Sequence, residues 1–180
     1  MRTATALLTY DDLLHIPPDR NRYELIEGEL FVSPSPNTEH QRRVGSLFAR
    51  LWQDVRERGG GEVFIAPYDV VLDSATVLEP DILCVSTARR SIIKEACIEG
   101  APDLVVEALS DSSRTIDRFV KRDRYAEFGV PEYWLVDPFE PRIEVLRLEA
   151  GKYRAVGNFG PGDSLESPTF PGLRIPVSSL

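Results

Sequence analysis

The spacing of apolar residues changes several times along the chain, and each change predicts an element. Thr9 stands before Asp11-Asp12-Leu13-Leu14, the pattern of a short capped helix, and Pro17-Pro18 stops it. Residues 23–26 and 29–32 flank Glu27-Gly28 as the arms of a β-hairpin, with Gly28 supplying the positive φ of a tight turn. Ser33-Pro34-Ser35-Pro36 breaks the second arm. Asn37 is placed to cap a long helix in which Val44, Leu47, Phe48, Leu51 and Val55 recur at helical spacing, and Gly59-Gly60-Gly61 ends it.

Strands are predicted at 62–66, 69–72 and 80–85, followed by an irregular or weakly helical stretch over 86–101. The segment 103–109 is apolar on both faces, as a central strand is. A polar turn over 110–115 leads into a helix over 116–128, ended by Gly129 with Pro131 beyond. A buried strand at 132–137 and a hairpin at 142–148 and 153–156, turning near Gly151, complete the regular part. The proline-rich tail reads as extended and irregular. This order predicts a mixed α/β fold with one central sheet, in a single domain over 1–180.

Composition narrows the function classes. Of 180 residues, 42% are hydrophobic and 28% charged, a globular balance that excludes wholesale disorder. Acidic residues number 29 against 21 basic ones, so the net charge is −8. That argues against a general polyanion binder and leaves room for a local basic groove. Cys84 and Cys97 form neither a zinc cluster nor a disulfide framework. The apolar stretch Ala6-Leu7-Leu8 is too short for a leader, and no run approaches the ~20 residues of a membrane span. A soluble, cytoplasmic protein with reduced thiols is expected.

Two acids sit among strand residues: Asp81 opens Ile82-Leu83-Cys84-Val85, and Glu107 follows Leu104-Val105-Val106. A carboxylate buried there costs stability unless it is paired or binds a metal. Two of them on neighbouring strands make an all-oxygen site suited to Mg²⁺ or Mn²⁺. The alternative is a solvated or salt-bridged acid at each strand end. On the following helix, Asp117, Lys121 and Tyr125 stack at spacings of four. Phe119 and Val120 are expected in the core, with Lys121 reaching over the sheet toward Glu107. An ordinary Asp117–Lys121 surface pair has the same spacing. Arg114, Arg118, Lys121, Arg122 and Arg124 form a locally basic strip, either phosphate-facing or simply solvated. His40, beside Gln41, suits a supporting place near a metal or an incidental one. The cysteines lack a nearby histidine, and neither a glycine-rich phosphate loop nor a Gly-x-Ser-x-Gly elbow occurs.

Several motifs recur together: Tyr23-Glu24-Leu25-Ile26-Glu27-Gly28-Glu29, Ser33-Pro34-Ser35-Pro36 with His40-Gln41, and Pro80-Asp81-Ile82. They are followed by Ala101-Pro102-Asp103-Leu104-Val105-Val106-Glu107-Ala108-Leu109-Ser110, and by Lys121 to Tyr125 with Gly129-Val130-Pro131-Glu132-Tyr133-Trp134-Leu135-Val136-Asp137. In this order they resemble the Uma-two family of restriction-endonuclease-like proteins, over roughly 9–175. The resemblance implies the PD-(D/E)xK nuclease fold, a central mixed sheet flanked by helices, with the hairpins as additions. It implies Asp81 and Glu107 as ligands of Mg²⁺ or Mn²⁺, with Lys121 assisting from the helix, because Leu109 stands where the superfamily's lysine is expected. Glu24 matches a further acid near the metal, and Tyr125, His40 and Gln41 are accessory candidates. The expected function is metal-dependent hydrolysis of DNA by a homodimer. The alternative is a catalytically silent module of the same fold that binds nucleic acid or protein as a homo-oligomer.

Overall fold

A computed structural model describes residues 7–110, 113–137, 139–140 and 142–177. The expectation for residues 1–6, part of the 110–115 turn and the last three residues of the tail lie outside them. The strands are β1 (Arg22–Ile26), β2 (Glu29–Ser33), β3 (Gly61–Ile65), β4 (Asp69–Asp73), β5 (Thr76–Leu78), β6 (Ile82–Ser86) and β7 (Cys97–Glu99). They continue with β8 (Leu104–Ala108), β9 (Glu132–Asp137), β10 (Arg142–Glu149), β11 (Lys152–Phe159), β12 (Ser164–Glu166) and β13 (Arg174–Pro176). The helices are α1 (Tyr10–Leu13), α2 (Thr38–Leu51) and α3 (Arg122–Glu127). A π-helical turn extends α2 through Trp52–Arg56, and another, Ile116–Lys121, leads into α3.

Local chemistry explains the element ends. Thr9 N–H and Oγ1 both donate to Asp12 Oδ2 at 2.8 Å, closing the start of α1. Asn37 Oδ1 accepts from His40 N at 2.9 Å, capping α2. Between β1 and β2, Glu27 (φ 52°) and Gly28 (φ 77°) both take the left-handed conformation that a tight hairpin turn requires.

Among the described residues the strands form a six-stranded sheet in the order β11-β10-β9-β8-β6-β3, a five-stranded sheet β2-β1-β5-β4-β7, and a small β12-β13 hairpin. Both larger sheets are mixed: β8–β9 and β4–β7 are parallel, and the other pairs are antiparallel. The six-stranded sheet is the central one. One face meets α2, where Val44, Leu47 and Leu51 pack on Ile82, Val106 and Trp134. On the opposite side of β8, Val105 joins Leu109, Tyr125, Tyr133 and Leu78. Both faces of β8 and β9 are therefore covered, which is why these strands are apolar throughout.

The expected mixed α/β fold with a central mixed sheet holds, and a second sheet lies beside it. The first hairpin is the end of a second sheet, completed by β4, β5 and β7. Residues 86–101 contain a 3₁₀ turn (Thr87–Ile92) and β7, and the tail contains β12 and β13. Three-residue strands such as β5, β7, β12 and β13 are too short to set up a readable period, so their pairing is decided by neighbours remote in sequence. The expectation for Phe119 and Val120 is corrected: they are 57% and 37% exposed. Residues four apart share a helix face, so with Asp117 and Lys121 buried against the sheet the two apolar residues between them turn outward. No helix among the described residues is long and apolar enough to cross a membrane.

Candidate active site

The antiparallel register of β6 and β8 pairs Ile82 with Val106 and Leu83 with Val105. Continued by one residue, it sets Asp81 opposite Glu107, with both side chains on the sheet face shared by Leu83 and Val105. A cleft of about 280 Å³ opens at this end of the sheet. Its lining includes Glu24 from β1, Asp81, Glu107, and Asp117 and Lys121 from the π-helical turn, with the 33–37 segment and His40 as a wall.

Lys121 sits at the centre. Its Nζ lies 2.9 Å from Glu24 Oε1, 3.2 Å from Glu107 Oε1 and 3.4 Å from Asp117 Oδ1, in a side chain only 3% exposed. Burial alone would push the ammonium down, but Glu107, Glu24 and Asp117 hold it well above its ordinary value. Glu107 is raised well above the usual carboxylate range. Burial is the main cause, Lys121 opposes it, and Asp117, Asp81 and Glu24 add repulsion. One ammonium is shared among three acids, so it offsets only part of the burial of any one of them. Asp117 is also raised, chiefly by burial. Its Oδ1 lies at ion-pair distance from Lys121 but has no hydrogen-bond partner. Tyr125 donates its hydroxyl to Glu107 Oε1 at 3.0 Å, so it touches the acid and acts on Lys121 through that shared oxygen.

Asp81 has a different environment. Arg22 Nη2 lies 2.9 Å from Oδ1, His40 Nε2 lies 3.2 Å from Oδ2, and the Ala108 N–H donates to Oδ2 at 2.7 Å. Burial would raise this carboxyl, but His40, Arg22 and the Ala108 N–H outweigh it and hold it at about 2. Arg22 Nε also meets Glu79 Oε1 at 2.8 Å. Burial pushes Glu79 up to about 7 against the pull of Arg22, with Asp69 and Glu24 adding repulsion. The Glu79 N–H donates to Glu24 Oε1 at 2.8 Å, which fixes that acid.

The structure thus brings together Glu24, Asp81, Glu107, Lys121, Tyr125 and His40. Gln41 is exposed and outside the cleft lining. Helical phase turns it away, because it follows the inward-facing His40 by one residue. Leu109, at the position of the expected lysine, is buried in the core. The basic strip is not a free cationic surface. Arg114 pairs with Asp137, Arg118 with Glu144, Arg122 with Asp123 and Arg124 with Glu27 and Glu127, while Lys121 points inward. The sequence reading missed Arg22 and Glu79. A signal was present for Arg22: it stands two residues before Glu24 on β1, and on a strand that spacing shares a face.

Among the described residues, no group of three or more His, Cys, Asp or Glu side chains is arranged to hold a metal. The lining nevertheless holds Glu24, Asp81, Glu107 and Asp117 against Arg22 and Lys121 as its permanent cations. A mixed α/β protein with a lysine-centred, carboxylate-rich cleft at one end of its central sheet is the class that fold and site define. The model of the Uma2 family, described as "Putative restriction endonuclease", matches residues 10–178, and the chain belongs to that family. The chain is similar to a crystal structure described as "a putative nuclease belonging to DUF820" from Anabaena variabilis. The TM-score is 0.78, the sequence identity 21%, and 96% of each chain is covered. At that identity the likeness shows the shared fold. The search of curated proteins found no match.

Proposed function

We propose that this protein is a nuclease that hydrolyses phosphodiester bonds of DNA with the help of Mg²⁺ or Mn²⁺. The observation that carries the reading is the gathering of Glu24, Glu107 and Asp117 around Lys121, with Asp81 lining the same cleft. Family membership supports it. The donor set fits a hard divalent cation: it is all oxygen, its carboxyl groups outnumber its permanent cations, and Asp117 Oδ1 is left without a hydrogen bond. Mg²⁺ commonly uses only one or two carboxylates and completes its shell with water and substrate phosphate, so a preformed cage is not required.

Asp81 and Glu107 would hold the ion. Bound there, it supplies charge neutralisation at the phosphoryl group and a lowered pKa for water. Lys121 keeps a positive charge against Glu107, suited to stabilising through space the charge that builds on the phosphoryl oxygens. Tyr125 holds Glu107, while His40 and the Ala108 N–H hold Asp81. Glu24 is anchored by the Glu79 N–H and sets the position of the ammonium.

The test is incubation of wild type and Asp81→Ala with single-stranded, duplex and branched DNA in Mg²⁺ or Mn²⁺. Wild type is expected to cut at least one substrate and the variant none. Absence of cleavage in wild type, together with a melting temperature that ignores Mn²⁺, would favour a silent binding module.

A further inference from the structure

We propose that Arg22 is the residue of the cleft that grips a backbone phosphate of the nucleic acid, an inference that rests on the nuclease reading above. A net charge of −8 opposes the approach of a polyanion, so a local cation has to supply the attraction. The arginines of the outer strip, Arg114, Arg118, Arg122 and Arg124, are ion-paired and do not line the cleft. Among the described residues, the basic side chains that do line it are Arg22, His40 and Lys121.

Lys121 is 3% exposed, and its three donors face three carboxylates. His40 Nε2 faces Asp81, and its Nδ1 is buried. The Arg22 side chain is 18% exposed, more than either. Glu79 and Asp81 engage two of the five donors of its guanidinium and fix the plane before a ligand arrives. A fork held in this way matches two oxygens of a phosphate and loses little freedom on binding. Its site is also beside Asp81, where the chemistry is proposed.

The experiment is fluorescence anisotropy with labelled single-stranded and duplex oligonucleotides, with Ca²⁺ in place of Mg²⁺ to separate binding from cleavage, over a salt series. Arg22→Gln should weaken binding at least tenfold and reduce the slope of log K against log salt by about 0.7–0.9, the loss of one phosphate contact. Arg22→Lys should restore the slope but not the full affinity, because it keeps the charge and loses the fork. Arg118→Gln should change neither. Wild-type affinity and slope in Arg22→Gln, or an equal loss in Arg118→Gln, would overturn the assignment and leave the nuclease reading standing. Should Arg22→Gln fail to fold in a thermal melt, Arg22→Lys decides, and wild-type affinity there overturns the fork. A wild type that neither binds these oligonucleotides nor cuts them in Mg²⁺ removes both readings together.

Discussion

Lys121 places one ammonium among Glu24, Glu107 and Asp117, and the consequences can be tested one side chain at a time. Glu107→Gln keeps the shape and removes a charge that burial and three neighbouring acids oppose. In chelator the variant should melt higher than wild type, by about 2–4 °C for each kcal/mol of repulsion relieved. Mn²⁺ should raise the melting temperature of wild type and leave that of the variant unchanged, since a ligand that binds only the native state stabilises it. A lower melt that still responds to Mn²⁺ would mark Glu107 as a structural acid. Lys121→Met should act in the opposite direction. It strands buried carboxylates without their cation, at a cost of about 3–5 kcal/mol by denaturant titration. Adding Glu107→Gln to Lys121→Met should recover part of that loss, because the two sites share one interaction.

The segment before α3 shows, at the scale of the element, which side chains turn inward. By apolarity alone Phe119 and Val120 belong in the core. The inward face instead carries Asp117 and Lys121, four residues apart, and exposes those two residues. Phe119→Ser should therefore change stability by no more than about 0.5 kcal/mol, as surface substitutions usually do. A loss of about 3–5 kcal/mol in a denaturant titration would instead return Phe119 to the core. Helical phase was legible in α2 and its π-helical extension, where Val44, Leu47, Leu51 and Val55 are all buried, because the repeat accumulates over several turns. It was not legible over 116–121, where the inward face carries Asp117 and Lys121 and apolarity alone points to the other side.

At the scale of the whole molecule, Glu132 shows what a buried acid does when donors rather than a cation satisfy it. It is fully buried on β9. Its oxygens accept from Trp134 Nε1 at 2.6 Å, Ser167 Oγ at 2.7 Å and the Thr169 N–H at 2.9 Å. That carboxylate pins the β12–β13 region to the central sheet. Glu132→Ala should release this region before global unfolding, so limited proteolysis should cut within residues 160–177 first; an unchanged digest would show that apolar packing alone holds it. The sequence by itself determined the elements made by near neighbours: the capped α1, the β1–β2 and β10–β11 hairpins, the amphipathic α2, and the apolar strands β8 and β9. It also singled out Asp81 and Glu107 as acids in apolar company. Tertiary structure alone decided which acids share a cation, and that Glu132 is a pin. It also decided that Arg22 and Asp81, 59 residues apart in sequence, lie 2.9 Å apart in space. The reason is physical: a charge responds to distance through space and to burial, and sequence separation encodes neither.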